Sequence, residues 1–370
     1  MTSKLIDQSF MRAALALARR GLGQVAPNPA VGCLLVQNGR IVGRGWTQPG
    51  GRPHAETEAL KQAGAQAGGA TAYVTLEPCA HTGQTGPCAD ALVEAGIARC
   101  VVALKDPDSR VSGRGVDRLA KAGIGVDLGL CADEARELNR GFFSVQEQGR
   151  PLITLKLATT VDGRIATKTG ESQWITGPAA RARAHLLRAG HDAVLVGSGT
   201  AIADNPRLDV RLAGLEGRSP LRVVIDGRLR LPLTHDLVRR AAERPSCLIT
   251  GTDVEATRLG AYRDSGMTVL QVSRDEDHRP ILSEAMQGLA KLGVTRLLVE
   301  GGAYISAGLL KAGLVDRLVC FRAGLVMGGD GLPAAVSLGV ESLQEAPKFL
   351  LKQQQTIGAD SCDTFERAQS

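Results

Sequence analysis

Apolar positions along the first half of the chain switch between helical and strand spacing, the signature of layered α/β structure. Within residues 1–21, Phe10, Ala13, Ala14, Leu17 and Ala18 fall on one helical stripe, so an amphipathic helix is expected there. Residues 31–37 read as a strand, Asn38-Gly39 as a hairpin turn and residues 40–46 as the return strand. A helix over 54–63 closed by Gly64, a strand over 72–76, a helix over 88–95 stopped by Gly96 and a strand over 99–104 follow, with 63–70 as a loop. One more helix, strand and helix carry the pattern to about residue 145.

Residues 146–151 break the periodicity with polar groups, Gly149 and Pro151, and a domain border is placed there. The pattern then restarts: a strand over 152–158, a helix near 178–189, strands over 193–196 and 221–225, and a strand over 296–300 feeding a helix after Gly302. A first domain of residues 1–147 and a second of 151–370 are expected, each large enough to own a core.

Composition changes this picture little but excludes several functions. Apolar residues at 44% and charged residues at 22% describe an ordinary globular chain. Aromatics at 3% argue against a groove that stacks the bases of single-stranded nucleic acid. The formal charge of +6 is spread along the sequence, which suits phosphorylated small molecules as partners rather than nucleic acid. No apolar run reaches the roughly 18 residues of a membrane span, and the N-terminal stretch does not read as a signal peptide. Eight scattered cysteines without a secretory signal point to a reducing cytoplasm.

The chemistry concentrates in His54-Ala55-Glu56, Glu77-Pro78-Cys79 and Pro87-Cys88. One imidazole and two thiolates give a zinc ion three ligands, His54, Cys79 and Cys88, and leave a fourth position open, the arrangement of a catalytic site. A single zinc ion per chain is expected. Glu56 lies two residues from His54 and can carry protons without being a ligand. This is the zinc-deaminase signature, except that eight residues rather than two separate Cys79 from Cys88. A histidine at a helix start and buried cysteines would be the ordinary reading of each residue alone; the ordered set argues otherwise.

Signals in the second half are weaker. Gly197-Ser198-Gly199-Thr200 and Glu300-Gly301-Gly302 read as turns whose backbone N–H groups can approach phosphate, or as tight turns and nothing more. Arg188, Arg207 and Arg211 are candidates for a phosphate clamp, with solvated surface as the alternative for each.

Pro27-Asn28-Pro29-Ala30-Val31-Gly32, His54-Ala55-Glu56, Thr75-Leu76-Glu77-Pro78-Cys79 with its eight-residue gap, and Gly170-Glu171-Ser172-Gln173-Trp174-Ile175-Thr176 together resemble the bifunctional deaminase/reductase family of riboflavin biosynthesis. The likeness runs from about residue 8 to beyond residue 330. It implies a cytidine-deaminase-like three-layer α/β/α domain followed by a dihydrofolate-reductase-like α/β domain using NADPH. The first would deaminate 2,5-diamino-6-(5-phosphoribosylamino)pyrimidin-4(3H)-one, and the second would reduce the ribosyl group of the product to ribityl.

By the same resemblance Asn28, His81 and Asp106 contact the deaminase substrate. Two positions depart from the family: Gln84 stands where a basic residue is usual, and Asp108 where asparagine is. In the second half the likeness marks Ser172, Arg188, Leu208, Arg211 and Glu300 for substrate, ranking Arg207 below Arg188 and Arg211. It marks Ala158, Trp174, Thr200, Asp204 and a turn from Gly302 to Gly308 for the cofactor. Lys156, Asp204 and Glu300 are the candidates for polar catalytic roles, and Trp174 taken alone would more often be a core aromatic. A homo-oligomer is expected. Three rival readings stay open: a nucleic-acid-editing deaminase, disfavoured by the low aromatic content; a non-catalytic binding protein, disfavoured by the intact zinc set; and a chain retaining one activity only.

Overall fold

The computed structural model describes residues 3–81, 86–108 and 112–368 and divides into two compact units, Met1–Gly149 and Arg150–Ser370. The first comprises α1 (Ser3–Ala18), β1 (Gly32–Gln37), β2 (Arg40–Trp46), α2 (Ala55–Ala63), β3 (Thr71–Val74), α3 (Cys88–Glu94), β4 (Arg99–Val102), α4 (Arg114–Lys121), β5 (Gly125–Leu128), α5 (Ala132–Leu138) and α6 (Arg140–Gln148). Its sheet runs β2-β1-β3-β4-β5, with β1 antiparallel to both neighbours and β3, β4 and β5 parallel. Asn38 and Gly39 both take positive φ, 52° and 73°, the geometry that a two-residue hairpin demands.

Alternating strand residues face opposite layers, which makes this unit three layers deep. One face buries Cys33, Leu35, Ala72, Val74, Cys100 and Val102 against Ala55, Ala59, Ala89, Leu92, Leu119, Phe142 and Phe143. The other buries Leu34, Val36, Tyr73 and Val101 against Met11, Ala14, Leu15, Ala18, Ala135 and Leu138. Two strand glycines set how closely α2 sits on the sheet: a Cβ on Gly45 would lie 1.9 Å from the Ala55 carbonyl oxygen, and one on Gly43 2.2 Å from that of Ala59. Any side chain there would push α2 off β2, and α2 carries the first site residues.

The second unit comprises β6 (Leu152–Thr160), β7 (Arg164–Ala166), α7 (Pro178–Ala189), β8 (Ala193–Gly197), α8 (Ser198–Asp204), β9 (Leu221–Ile225), α9 (Asp236–Arg239), β10 (Ser246–Gly251), α10 (Ala256–Asp264), β11 (Thr268–Val272), α11 (Leu282–Lys291), β12 (Arg296–Val299), α12 (Ala303–Lys311), β13 (Arg317–Ala323), β14 (Leu332–Pro333), β15 (Phe349–Ile357) and β16 (Asp360–Arg367). Nine strands form one sheet in the order β11-β10-β9-β8-β12-β6-β13-β16-β15. It is parallel from β11 to β13, and β16 and β15 add antiparallel at one edge. Apolar clusters fill both faces, one around Leu195, Leu297, Met286 and Leu309, the other around Val194, Leu298, Leu237 and Tyr262. Among the described residues no helix is long and apolar enough to cross a membrane.

Several expectations need correction. Residues 75 and 76 lie beyond β3, where the Thr75 hydroxyl accepts the Gly32 N–H at 3.0 Å. Residues 64–67 form a 3-10 turn rather than an open loop. Ser198–Asp204 is a helix, not a glycine turn, and the stretch 302–308 is the N-cap and first turns of α12. Alanine and isoleucine between those glycines sustain helix once Gly302 has turned the chain at φ +95°.

Candidate active sites

In the first unit, His54 caps α2 and Cys88 opens α3, so two chain reversals bring their side chains to one place. Cys79 completes the group, with the three ligand atoms all within 4.8 Å of one another. His54 Nδ1 lies 3.3 Å from Cys88 Sγ and 3.7 Å from Cys79 Sγ, and the Cys88 backbone N–H donates to Cys79 Sγ at 3.3 Å. The hydrogen bond shared with Cys88, then that from His54, pulls the Cys79 thiol down to about 4 against its burial; the same shared proton holds Cys88 up. One imidazole and two sulfurs at this spacing fit zinc, which prefers nitrogen and sulfur donors.

Glu56, in the first turn of α2, is buried at 3% exposure, and burial pushes its carboxyl up to about 7 while His54 pulls the other way. It faces a cavity of about 200 Å³ also lined by Asn28, Arg52, His54, Cys79, His81, Asp106, Asp108 and Gln146. His81 Nδ1 is buried there without a hydrogen-bond partner among the described residues, as suits a group that meets a ligand. Burial raises Asp106 to about 6, and its carboxylate accepts the Asp108 N–H at 2.9 Å. Gln84 lies outside the described residues.

Glu77 was legible only as part of a motif, yet it organises this wall. Its carboxylate accepts the N–H groups of Asp106 at 3.2 Å, Gly113 at 2.9 Å, Gly115 at 2.9 Å and Val116 at 3.2 Å. It thereby ties the loop after β4 to the segment that ends at Cys79. Asn139 does the same for the other wall, accepting the Ala30 N–H at 2.9 Å and donating to the Ala30 carbonyl at 3.0 Å beside Asn28. Arg52 and Gln146 also escaped the sequence reading, because a single arginine or glutamine in a loop or helix end carries no pattern.

In the second unit a charged cluster joins Lys156 on β6, Arg188 on α7 and Glu300 just beyond β12. Arg188 forks onto Glu300, Nε to Oε1 at 2.5 Å and Nη2 to Oε2 at 2.9 Å, and Lys156 Nζ lies 3.8 Å from Oε2. Burial works to raise Glu300, but the Arg188 charge and fork, with Lys156, overcome it and hold the carboxyl down at about 2. Burial in turn lowers Lys156, with Glu300 opposing. Arg188 Nη1 also donates to the Asp209 carbonyl at 2.9 Å, and Arg211 reaches the Asp209 carboxylate at 2.6 Å.

The glycine pair after β12 forms a cradle beside Thr200. A Cβ on Gly301, at φ +106°, would sit 3.8 Å from Thr200 Oγ1, and one on Gly302 3.5 Å from it and 3.2 Å from Ile305. Bare backbone at a helix start next to a hydroxyl fits the phosphates of a dinucleotide cofactor. Gly308 is placed otherwise: a Cβ there would lie 3.0 Å from Leu282 Cδ1, so its role is close packing of α12 on α11. Trp174 is 65% exposed with Arg181 stacked 4.7 Å over its ring, so it is no core aromatic. Leu208 turns its side chain into the apolar core at 3% exposure, leaving its backbone, at φ +52°, as the part that can meet a ligand. Ala158 pairs with Phe321 between β6 and β13, Asp204 ends α8, and Ser172 is half-buried in the loop before α7.

The family model of the cytidine and deoxycytidylate deaminase zinc-binding region matches residues 5–104, and that of the RibD C-terminal domain matches residues 151–362. The chain is 43% identical to the riboflavin biosynthesis protein RibD of Aquifex aeolicus over 98% of its own length and 99% of that protein's. Its fold is similar to RibD of Acinetobacter baumannii, at 37% identity and a TM-score of 0.90, over 99% of this chain and 100% of that one. It is also similar to a diaminohydroxyphosphoribosylaminopyrimidine deaminase/5-amino-6-(5-phosphoribosylamino)uracil reductase of Thermotoga maritima, at 30% identity and a TM-score of 0.86, over 99% and 100% of the two chains.

Proposed function

The chain belongs to the RibD family of riboflavin-biosynthesis enzymes, a zinc-dependent deaminase joined to an NADPH-dependent reductase, and from that premise we propose which residues carry each reaction. Residues 1–147 deaminate 2,5-diamino-6-(5-phosphoribosylamino)pyrimidin-4(3H)-one, and residues 151–370 reduce the ribosyl group of 5-amino-6-(5-phosphoribosylamino)uracil to ribityl. The observation that carries the first assignment is the buried Glu56 in one cavity with His54 and Cys79, which with Cys88 form a set of metal donors.

His54, Cys79 and Cys88 would hold the zinc ion, which when bound supplies Lewis-acid activation of a water molecule. Water adds to the amine-bearing ring carbon and ammonia departs. Glu56 takes the proton from the attacking water at its carboxylate oxygen and returns it to the departing nitrogen. Asn28, His81 and Asp106 line the same cavity and orient the pyrimidine through hydrogen bonds.

NADPH, when bound, supplies the hydride of the second reaction. Thr200, Asp204, Gly302, Ala158 and Trp174 are the groups proposed to hold it, and Ser172, Arg188, the Leu208 backbone, Arg211 and Glu300 those proposed to hold the sugar phosphate. Lys156 holds a proton at Nζ beside the Glu300 carboxylate, and its burial eases release of that proton to the sugar oxygen as the carbon is reduced.

A cytoplasmic site of action agrees with eight cysteines that are all free thiols. A homo-oligomer is supported by the edge strand β15, which leaves Leu350 and Leu351 more than half exposed. Incubating the purified chain with the diaminopyrimidine, with and without NADPH, tests the function. Mass detection of the uracil without NADPH and of the ribityl product with it is the expected result; an unchanged substrate in both arms would refute it.

A further inference from the structure

The cavity of the first unit is lined by more acid than base. Glu56, Glu77, Asp106 and Asp108 contribute to its wall, and Arg52 is the one lysine or arginine among the described residues that line it. Residues 80–87, which join Cys79 to Cys88, hold no lysine or arginine either. Four backbone N–H groups answer Glu77, which leaves Asp106 and Asp108 to set the charge of the wall formed by the loop after β4. A phosphorylated substrate carries about two negative charges near neutral pH. Carboxylates at close range repel such a group, so its entry calls for a cation in the same cavity.

The backbone holds Arg52 at a fixed place. Gly50 and Gly51 turn the chain at φ of 79° and 84°. Three main-chain hydrogen bonds fix the turn: the Gly50 N–H donates to the Gln24 carbonyl at 2.8 Å, the Gly51 N–H to the Gln48 carbonyl at 2.9 Å, and the Gln48 N–H to the Pro53 carbonyl at 3.0 Å. Gly51 is pressed onto the neighbouring wall, since a Cβ there would lie 1.8 Å from Asn28 Nδ2. Arg52 thus leaves the wall between Asn28 and His54, the residue that caps α2. Its side chain is half-buried while Glu56 is almost fully buried, which puts Arg52 nearer the mouth of the cavity and Glu56 at its floor. Charge is costly to take out of water, so the phosphate of a substrate whose ring sits on the floor stays at the mouth.

We infer that Arg52 binds the phosphate of the diaminopyrimidine substrate and so sets the preference of this site for the phosphorylated compound over its dephosphorylated form. The inference rests on residues 1–147 being the deaminase. A guanidinium meets phosphate oxygens with forked, charge-assisted hydrogen bonds. Asp106 and Asp108, on the wall formed by the loop after β4, accept from hydroxyl groups and turn an anion away, which leaves the phosphate to the Arg52 side.

The test measures ammonia release by the full chain from 2,5-diamino-6-(5-phosphoribosylamino)pyrimidin-4(3H)-one and from its dephosphorylated ribosyl form. Calorimetric titration with both ligands is run on chains that also carry Glu56→Gln, so that binding is read without turnover. In Arg52→Gln, KM and Kd for the phosphorylated ligand should rise about tenfold, with kcat falling much less. Bound zinc and the values for the dephosphorylated ligand should match those of the chain with Arg52 intact. Arg52→Lys, which keeps the charge, should recover most of the loss. Unchanged binding of the phosphorylated ligand by Arg52→Gln would overturn the inference. Equal losses on both ligands would overturn it too, because a residue that only holds the turn weakens both alike. Selective loss on the phosphorylated ligand, in a chain that releases no ammonia even with Arg52 and Glu56 intact, would support the role of Arg52 and refute the deaminase reading instead.

Discussion

The proposed deaminase site draws its chemistry from three short windows of sequence, residues 54–56, 77–79 and 87–88, whereas the groups proposed for reduction are strewn from Lys156 to Gly302. The difference follows from what each reaction asks of the protein. A zinc site needs particular donor atoms, and only a few residue types supply them. In the second unit the cofactor brings the reactive hydride, and the protein supplies positions and charge balance that many residues can provide. The first site is therefore sensitive to atom identity, the second to the integrity of a network running from Lys156 through Glu300 and Arg188 to Asp209.

The largest effect expected from breaking this contrast is at Glu56. Glu56→Gln should retain zinc by metal analysis yet lose deamination by about 10² to 10⁴, with NADPH oxidation on the deaminated substrate close to that of the unaltered chain. Near-normal ammonia release would place the proton carrier elsewhere. Glu77 comes next, since four backbone N–H groups end on its carboxylate and an amide cannot accept them all. Glu77→Gln should cost the first unit about 3 kcal/mol, read as an earlier unfolding transition together with lost deamination, while reduction persists. Retention of both would show that the loop after β4 is held by other contacts.

Glu300→Gln probes the opposite side of the comparison. It removes a charge from a buried network in which Arg188 is left half-answered, and reduction should fall about 10 to 100-fold with deamination unaffected. Equal rates before and after would detach Glu300 from the reaction.

A smaller effect separates the units in acid. Burial, reinforced by the Arg296 charge, holds the His191 imidazole down to about 3, while its Nδ1 sits 2.6 Å from the Leu187 carbonyl and its Nε2 3.0 Å from the Thr154 hydroxyl. The unfolded chain therefore takes up the proton first as pH falls. The stability that neutral His191 contributes is complete above about 6.5 and is lost progressively between about 6.5 and about 3. Between pH 7 and pH 5 the second unit should lose about 2 kcal/mol on this account, measured by urea unfolding, and His191→Gln should flatten the slope. An unchanged slope would mean that another group governs the acid limb.

What the sequence disclosed follows the same division. The hairpin at Asn38-Gly39 and the gathering of His54, Cys79 and Cys88 into a set that could hold a metal ion were legible because positive φ and metal ligation each admit few residues. Gly43 and Gly45 were not, since a glycine that admits a helix looks the same in sequence as one that makes a turn. The Gly-Ser-Gly-Thr segment was read as a turn although the three residues after Gly197 begin α8, because propensity argues against helix there and only packing against β8 and β9 overrides it. Strand β15 was missed for a related reason: most of it is exposed, so its sequence lacks the alternation that marks a half-buried strand. Asp209 was invisible because a buried carboxylate answered by arginines at 207, 211 and 244 becomes a cluster only once the chain is folded.

The account's central claim is that two separate sites carry two separable reactions, and Cys79→Ser tests it most directly. The full-length variant is given the diaminopyrimidine and the deaminated uracil in separate assays, with ammonia release, NADPH oxidation and bound zinc measured on the same preparation. The account predicts that zinc and ammonia release are lost while NADPH oxidation on the uracil stays near that of the unaltered chain. A folded Cys79→Ser variant that loses NADPH oxidation as well would contradict it.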